Sequence, residues 1–222
     1  MRSESFGRKI VRGWPWLTGA LLVAAGLAGL DPVLYAWCRD HTMPDPTNRA
    51  LYERTAWLWT VMRLPASAAG GLGVFFLLLL LDPRRWLRLG AGLAACLSAG
   101  VVGSLLKMTV GRLRPHQAPA GSHLGLLPPL RGFSADAAVS FPSGEATAAF
   151  ALATVLTILY PRGRWLFYAV AAVAAGSRLL KAAHYLSDVA AGALLGMFIA
   201  GWTFRALDRR TARVSPCGAM PS

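Results

Sequence analysis

The chain has 222 residues, 55% hydrophobic and 15% charged, with a formal charge of +13. A soluble domain usually carries about 25% charged residues, so this balance excludes an ordinary water-soluble core. The positive charge does not mark a nucleic-acid binder, because the cations form no single stripe or patch and sit instead in short clusters beside apolar runs.

Those runs approach the ~17–25 residues that cross a bilayer as a helix. They predict an all-α polytopic membrane protein of about six transmembrane helices: Pro15–Trp37, Leu64–Leu81, Leu87–Leu106, Ser143–Tyr160, Arg164–Leu180 and Ser187–Phe204. One membrane-embedded domain over 1–222 accommodates them, with tails at 1–13 and 206–222. The first run resembles a secretory leader in its basic start and small residues at Ala28-Gly29. Its apolar character continues past Asp31-Pro32 to Trp37, however, which favours a retained span.

Between the first two spans, Arg39–Arg63 is mixed, and its later half alternates apolar and charged residues at roughly helical spacing. That pattern suits an interfacial segment with Trp57 and Trp59 at headgroup depth, and it carries no evident chemistry. Thirteen of the 23 Lys and Arg residues fall on one side of the six-span layout: Arg2, Arg8, Lys9, Arg12, Arg84, Arg85, Arg88, Arg162, Arg164, Arg205, Arg209, Arg210 and Arg213. The positive-inside rule makes that side, and both termini, cytoplasmic. Cys38, Cys96 and Cys217 are odd in number and scattered, giving neither a disulfide framework nor metal spacing.

The remaining cations gather at span ends on the outer side, in three stretches. The first is KMTVGRLRP, Lys107–Pro115, where Lys107 offers a point charge and Arg114 a planar fork for phosphoryl oxygens. Interfacial snorkelling is the plain alternative. The second is FPSGEATAAF, where Ser143 is placed to N-cap a helix and Gly144 permits close backbone approach. A helix N-terminus suits an anion, while simple capping, with Glu145 complementing the dipole, is the plain alternative. The third is SRLLKAAHYLSD, Ser177–Asp188. If one helix ran through it, Ser177, Lys181, His184 and Asp188 would share a face, and Asp188 could accept the imidazole N–H; if Ser187 instead caps a new helix, His184 and Asp188 can still meet across the turn. The other ring nitrogen would then be free as a nucleophile or base. Cations, a helix N-terminus and a His–Asp pair on one side of a membrane suit phosphoryl transfer. No exterior carboxylate cluster has metal-ligand spacing.

The pattern Lys107-x6-Arg114-Pro115, Pro142-Ser143-Gly144, Ser177-Arg178-x5-His184-x3-Asp188 resembles the three-part signature of the type-2 phosphatidic acid phosphatase superfamily, which shares its site with vanadium haloperoxidases. The motifs cover Lys107–Asp188. The resemblance implies that Lys107, Arg114 and Arg178 bind phosphate oxygens, with Ser143 and the Gly144 N–H as further donors. It implies that His184 attacks phosphorus to form a phosphohistidine, oriented by Asp188, with no metal or other cofactor. The family usually ends its second motif in histidine, taken to protonate the leaving oxygen, and this chain has Glu145 there. Glu145 held protonated is one way to supply the acid. A substrate with a good leaving group, or His116 or His123 in the following loop, is another. The implied function is a membrane phosphatase acting on a lipid monoester or diphosphate at the outer face of a bacterial inner membrane. A phosphatidate-like lipid, an isoprenoid diphosphate and the phosphorylated sugar of lipid A all fit, with His116–Ser140 as a headgroup lid. The alternatives are a phospholipid binder without turnover and a small transporter, although a transporter more often places charge near mid-membrane.

Overall fold

The computed structural model describes residues 14–42, 57–118, 125–126 and 139–214. The tail 1–13, Cys217, His123 and most of the expected headgroup lid lie outside those residues, as does the start of the interfacial segment; the expected tail at 206–222 is helical as far as Val214. The described chain is helical: α1 (Trp14–Ala25), a π-helical turn (Gly26–Leu30), α2 (Asp31–Thr42), α3 (Trp57–Ala66), α4 (Ala68–Leu81), α5 (Trp86–Val110), α6 (Gly144–Leu159), α7 (Arg164–Leu180) and α8 (Leu186–Val214). Two isolated antiparallel bridges, Arg112 with Leu126 and Leu113 with Val139, are the only β pairings among the described residues.

Helix starts follow from local chemistry. Short 3-10 turns containing Pro65, Pro83 and Pro161 precede α4, α5 and α7; proline fixes φ and lacks the N–H that a first turn would leave unpaired anyway. Ser67 adds a cap to α4, accepting from the Gly70 N–H at 3.0 Å.

Three helical segments are long and apolar enough to cross a membrane: Trp16–Thr42, Pro83–Val110 and Leu186–Arg209. A fourth is made if α3 and α4, bent by 62° at their junction, act as one span. Helix α6 is apolar but shorter. The first span is not the uninterrupted run its hydropathy suggests, because Gly29 sits at φ 128 inside the π turn. That conformation is open to glycine at little cost, and Pro32, two residues past the π turn, cannot donate to a preceding carbonyl. The interruption brings Asp31 to the start of α2.

Helix α8 is the central post, packed against α6, α5 and α1, while α6 also packs on α7. Close approach of α8 to α6 depends on Gly192 and Gly196, one turn apart. A Cβ at Gly192 would meet the Ser143 carbonyl oxygen at 2.5 Å, and one at Gly196 the Thr147 carbonyl oxygen at 2.3 Å. This small-residue spacing suits a medium in which helices gain little from hydrophobic burial and depend on tight packing. Alanines fill much of the core, Ala95, Ala99 and Ala151 among them, with Val155 and Phe204. The large apolar side chains point outward instead: Leu21, Phe76, Leu80, Trp165 and Trp202 are exposed. An apolar exterior around a small-residue interior is the inverse of a water-soluble bundle.

The ends of the bundle differ. At one end Arg88 pairs with Asp208 at 2.9 Å, and Arg85 pairs with Asp82 and donates to the Leu159 carbonyl. At the other, the end of α5 and the starts of α6 and α8 converge on the site.

Candidate active site

Gly111, left-handed at φ 62, terminates α5 one turn past Lys107. The chain then passes through Arg112–Pro115 and is tied to the segment before α6 by the Ser140 N–H, which donates to the Arg112 carbonyl at 2.6 Å. The Ser143 N–H donates to the Asp188 carbonyl at 3.0 Å, fastening the start of α6 to the start of α8. Three stretches far apart in sequence are thereby placed side by side.

Lys107 lies within electrostatic reach of Arg114, Arg178, Asp188 and Glu145. His184 in turn feels Asp188, Lys107 and Arg178. The three expected phosphate-binding cations and the expected nucleophile therefore share one site. The Nε of Arg114 is buried without a hydrogen-bond partner, a costly arrangement for a guanidinium that an anion between these cations would relieve. Ser143 is fully buried and caps α6, its hydroxyl oxygen facing the Ala146 N–H at 3.5 Å. Gly144 is exposed at the helix start.

The third stretch departs from the straight-helix reading. Helix α7 ends at Leu180 and α8 begins at Leu186, so Ser177, Lys181, His184 and Asp188 do not lie along one helical face. The connecting turn passes through Ala182 at φ 47, a left-handed conformation that costs an alanine about 1–2 kcal/mol. His184 and Asp188 still face each other across this turn, with Nδ1 3.7 Å from Oδ2. That exceeds hydrogen-bond length, so the direct bond expected from the spacing is absent. Asp188 is held by others: Oδ2 accepts from the Ser140 hydroxyl and from the Tyr185 N–H at 3.0 Å, and Oδ1 from Arg112 at 2.7 Å. The Ser140 hydroxyl also lies 3.5 Å from the imidazole Nδ1. With Nδ1 turned to this cluster, Nε2 is the nitrogen left for chemistry. Burial pushes the His184 imidazole below its usual range, more than Asp188 raises it, so the ring is neutral at pH 7.

Glu145 does not stand alone at the mouth of α6. One carboxylate oxygen pairs with Arg63 at 2.7 Å and the other with Arg178 at 3.1 Å. Arg63 belongs to the stretch that the sequence marks as plain interfacial anchoring, and the structure corrects that reading by bringing it to the site. From the same helix, Trp59 lies under the ammonium of Lys181 at 5.5 Å. His116, an alternative acid by sequence, is exposed in the loop after Pro115.

Asp31, Arg112 and Ser140 were also not expected at the site. Asp31 gives a readable signal, since an ionisable group inside an apolar run needs a partner. Arg112 is legible only as one more exterior cation. Ser140 has no local signal at all. Beside the site, an apolar cleft of about 610 Å³ runs between α1 and α8, with Leu27, Leu106, Phe141, Pro142 and Leu195 in its walls.

A helical bundle with an apolar exterior and a cluster of cations at its helix ends defines the class: a helical membrane protein with a charged site at one end of the bundle. The chain belongs to the PAP2 superfamily, whose family model matches residues 85–212. It is 37% identical over 105 residues to a lipid A 1-phosphatase of Rhizobium etli, a match covering 47% of this chain and 42% of that protein. A lipid A 1-phosphatase of Rhizobium johnstonii is 36% identical over 99 residues, covering 44% of this chain and 39% of that one. The matched stretch thus spans less than half the length of these curated relatives. The fold resembles a solved PAP2-type phosphatidylglycerolphosphate phosphatase of Bacillus subtilis, with TM-score 0.59 and 17% identity, over 92% of this chain and 97% of that one.

Proposed function

We propose that this protein is a membrane phosphatase that removes phosphate from a lipid, through a phosphohistidine on His184. The observation that carries the reading is the gathering of Lys107 and Arg178 about a buried imidazole whose Nδ1 faces Asp188, with Arg114 beside Lys107. The cations neutralise phosphoryl charge that grows in the transition state, where preorganised charge contributes most. Nε2 of His184 attacks phosphorus as the bond to the lipid oxygen breaks. The exposed Gly144 N–H at the start of α6 adds a donor for a phosphoryl oxygen, beside the Ser143 cap.

Glu145 supplies the proton to the leaving oxygen in this scheme. A phosphoryl group arriving on Arg178 meets Glu145 already paired to that guanidinium at 3.1 Å, which keeps the carboxyl next to the transferred group. After transfer, Glu145 accepts a proton from the water that attacks the phosphohistidine, and inorganic phosphate leaves. No resident metal is called for, because the cations fill the charge-stabilising role. The substrate is a lipid because the site lies at helix ends, at headgroup depth, beside an apolar cleft that fits an acyl chain. The names of the Rhizobium relatives favour the phosphorylated sugar of lipid A over phosphatidate or an isoprenoid diphosphate. In this reading α6 and α7 also cross, which makes six spans, and the positive-inside rule then favours a site at the outer face of a bacterial inner membrane with both termini in the cytoplasm.

The test is phosphate release from vesicles carrying lipid A, phosphatidate or an isoprenoid diphosphate, with chelator present throughout. Wild type is expected to release phosphate from lipid A, and His184→Ala is expected to release none while remaining folded. Equal inactivity of both on every lipid would remove the enzyme. Glu145→Gln is expected to slow release about 10²–10⁴-fold and Glu145→His to restore much of it. An unchanged rate–pH profile in Glu145→Gln would remove the proton-donor role.

A further inference from the structure

Asp31 is fully buried and Arg112 is 2% exposed, although neither has a role in the three motifs. The Arg112 guanidinium reaches Asp31 at 2.9 Å through one terminal nitrogen, and Asp188 at 2.7 Å and the Ser187 hydroxyl at 2.6 Å through the other. Its flat face lies 4.1 Å from the centre of the Tyr185 ring. Asp31 also accepts from the Ser187 N–H at 3.0 Å and from the Ser187 hydroxyl. The π turn fits tightly here: a Cβ at Gly26 would fall 2.6 Å from Asp31 and 2.9 Å from the Ser187 side chain.

We propose that Asp31 and Arg112 are positioning residues, joining the first membrane helix to the His184–Asp188 pair through a buried carboxylate–guanidinium–carboxylate triad. As a role in phosphate transfer, it rests on the phosphatase reading above. A guanidinium presents two nitrogens in a fixed fork, and here the fork sets the distance between the two carboxylates. The charge balance matters as much. Arg112 alone would neutralise Asp188 and leave little field at the imidazole. With Asp31 added, one cation is shared by two anions, and Asp188 keeps negative charge to support the ring when Nε2 bonds to phosphorus. The charged groups facing His184 are then Asp188 from α8, Lys107 from α5 and Arg178 from α7, with the triad behind Asp188. Buried ion triads are strongly disturbed when one partner is removed. Asp31 lies outside the stretch matched by the family model, so this device is a contribution of the first helix.

The experiment uses the full chain in detergent micelles with isotope-labelled histidine. Of the four histidines, His184 is assigned by its loss in His184→Ala, and its titration is followed by NMR alongside the steady-state kinetics of phosphate release. Asp31→Asn keeps the shape and removes one negative charge. It is expected to move the His184 titration to lower pH and to cut kcat about 10–100-fold, the range for lost outer-shell partners, with KM little changed. Arg112→Lys keeps a cation but loses the fork, and is expected to move the titration upward. If Asp31→Asn does not fold, Arg112→Lys reads the same quantity. Folded variants with the wild-type titration would overturn the proposal, whatever their stability, because a purely structural role leaves the imidazole alone. Titration shifts in a wild type that releases no phosphate would instead remove the phosphatase and leave the triad's control of His184 standing.

Discussion

Burial and charge act on His184 in opposite directions, and burial prevails. Since only the neutral ring attacks phosphorus, the sign is fixed. The nucleophile is competent above its lowered pKa and is lost as pH falls through it. The acidic limb of kcat/KM, which reports the free enzyme, is therefore expected below about 6.5, the ordinary histidine value. A stopped pH series on solubilised protein checks this, and a limb at or above that value would mean that the burial of His184 does not set its charge. Arg63 gives a second residue-scale expectation. It holds Glu145 from the exposed side, so Arg63→Ala is expected to lower kcat, and the double variant with Glu145→Gln is expected to lose less than the sum of the two single losses. Additive losses in the double-mutant cycle would separate the two residues. The motif residues were legible because their spacing is fixed within short stretches. Asp31 left only the mark of an ionisable group in an apolar run, and Arg63 and Ser140 left none, because their partners lie in other elements.

At the scale of elements, the α6–α8 contact positions the site, since the Ser143 N–H and the Asp188 carbonyl meet where these helices start. Gly196 allows that contact. Gly196→Ala puts a methyl 2.3 Å from the Thr147 carbonyl oxygen, and the helices must part. The expected cost is about 1–3 kcal/mol, as for other overpacked cores, read as a lower midpoint of thermal unfolding in micelles, with a loss of activity. A midpoint equal to wild type would show that the helices do not pack through this glycine. Helix extents were largely legible: the expected fifth span coincides with α7, and the third with most of α5. One break was not: hydropathy is blind to the π turn at Gly26–Leu30, which keeps the run apolar. The break between α7 and α8 was legible, since the expected spans end at Leu180 and resume at Ser187, but its passage through Ala182 at φ 47 was not. In both places a local backbone irregularity delivers a buried polar side chain, Asp31 in one case and His184 in the other.

At the scale of the molecule, the polarity of the bundle sets orientation. Arg85 and Arg88 mark one end and the proposed site the other, and the orientation proposed from the positive-inside rule has the Arg85 end in the cytoplasm. Single cysteines in a background with Cys38, Cys96 and Cys217 changed to serine report this directly. Gln117→Cys, at an exposed position on the site end, is expected to react with a membrane-impermeant thiol reagent in cells whose inner membrane is intact. Arg84→Cys, exposed at the other end, is expected to react only after permeabilisation. The reverse pattern would place the site on the cytoplasmic face and exclude an outer-leaflet substrate.

The proposed activity depends on covalent transfer of phosphate to His184, and trapping that species tests it most directly. Lipid A carrying a radiolabelled 1-phosphate is mixed with detergent-solubilised protein, quenched in alkali within the first turnover, and separated from free lipid. The account predicts acid-labile, alkali-stable label on the wild-type chain, mapping to the peptide with His184, and no label on His184→Ala. Release of phosphate by His184→Ala at the wild-type rate would contradict it.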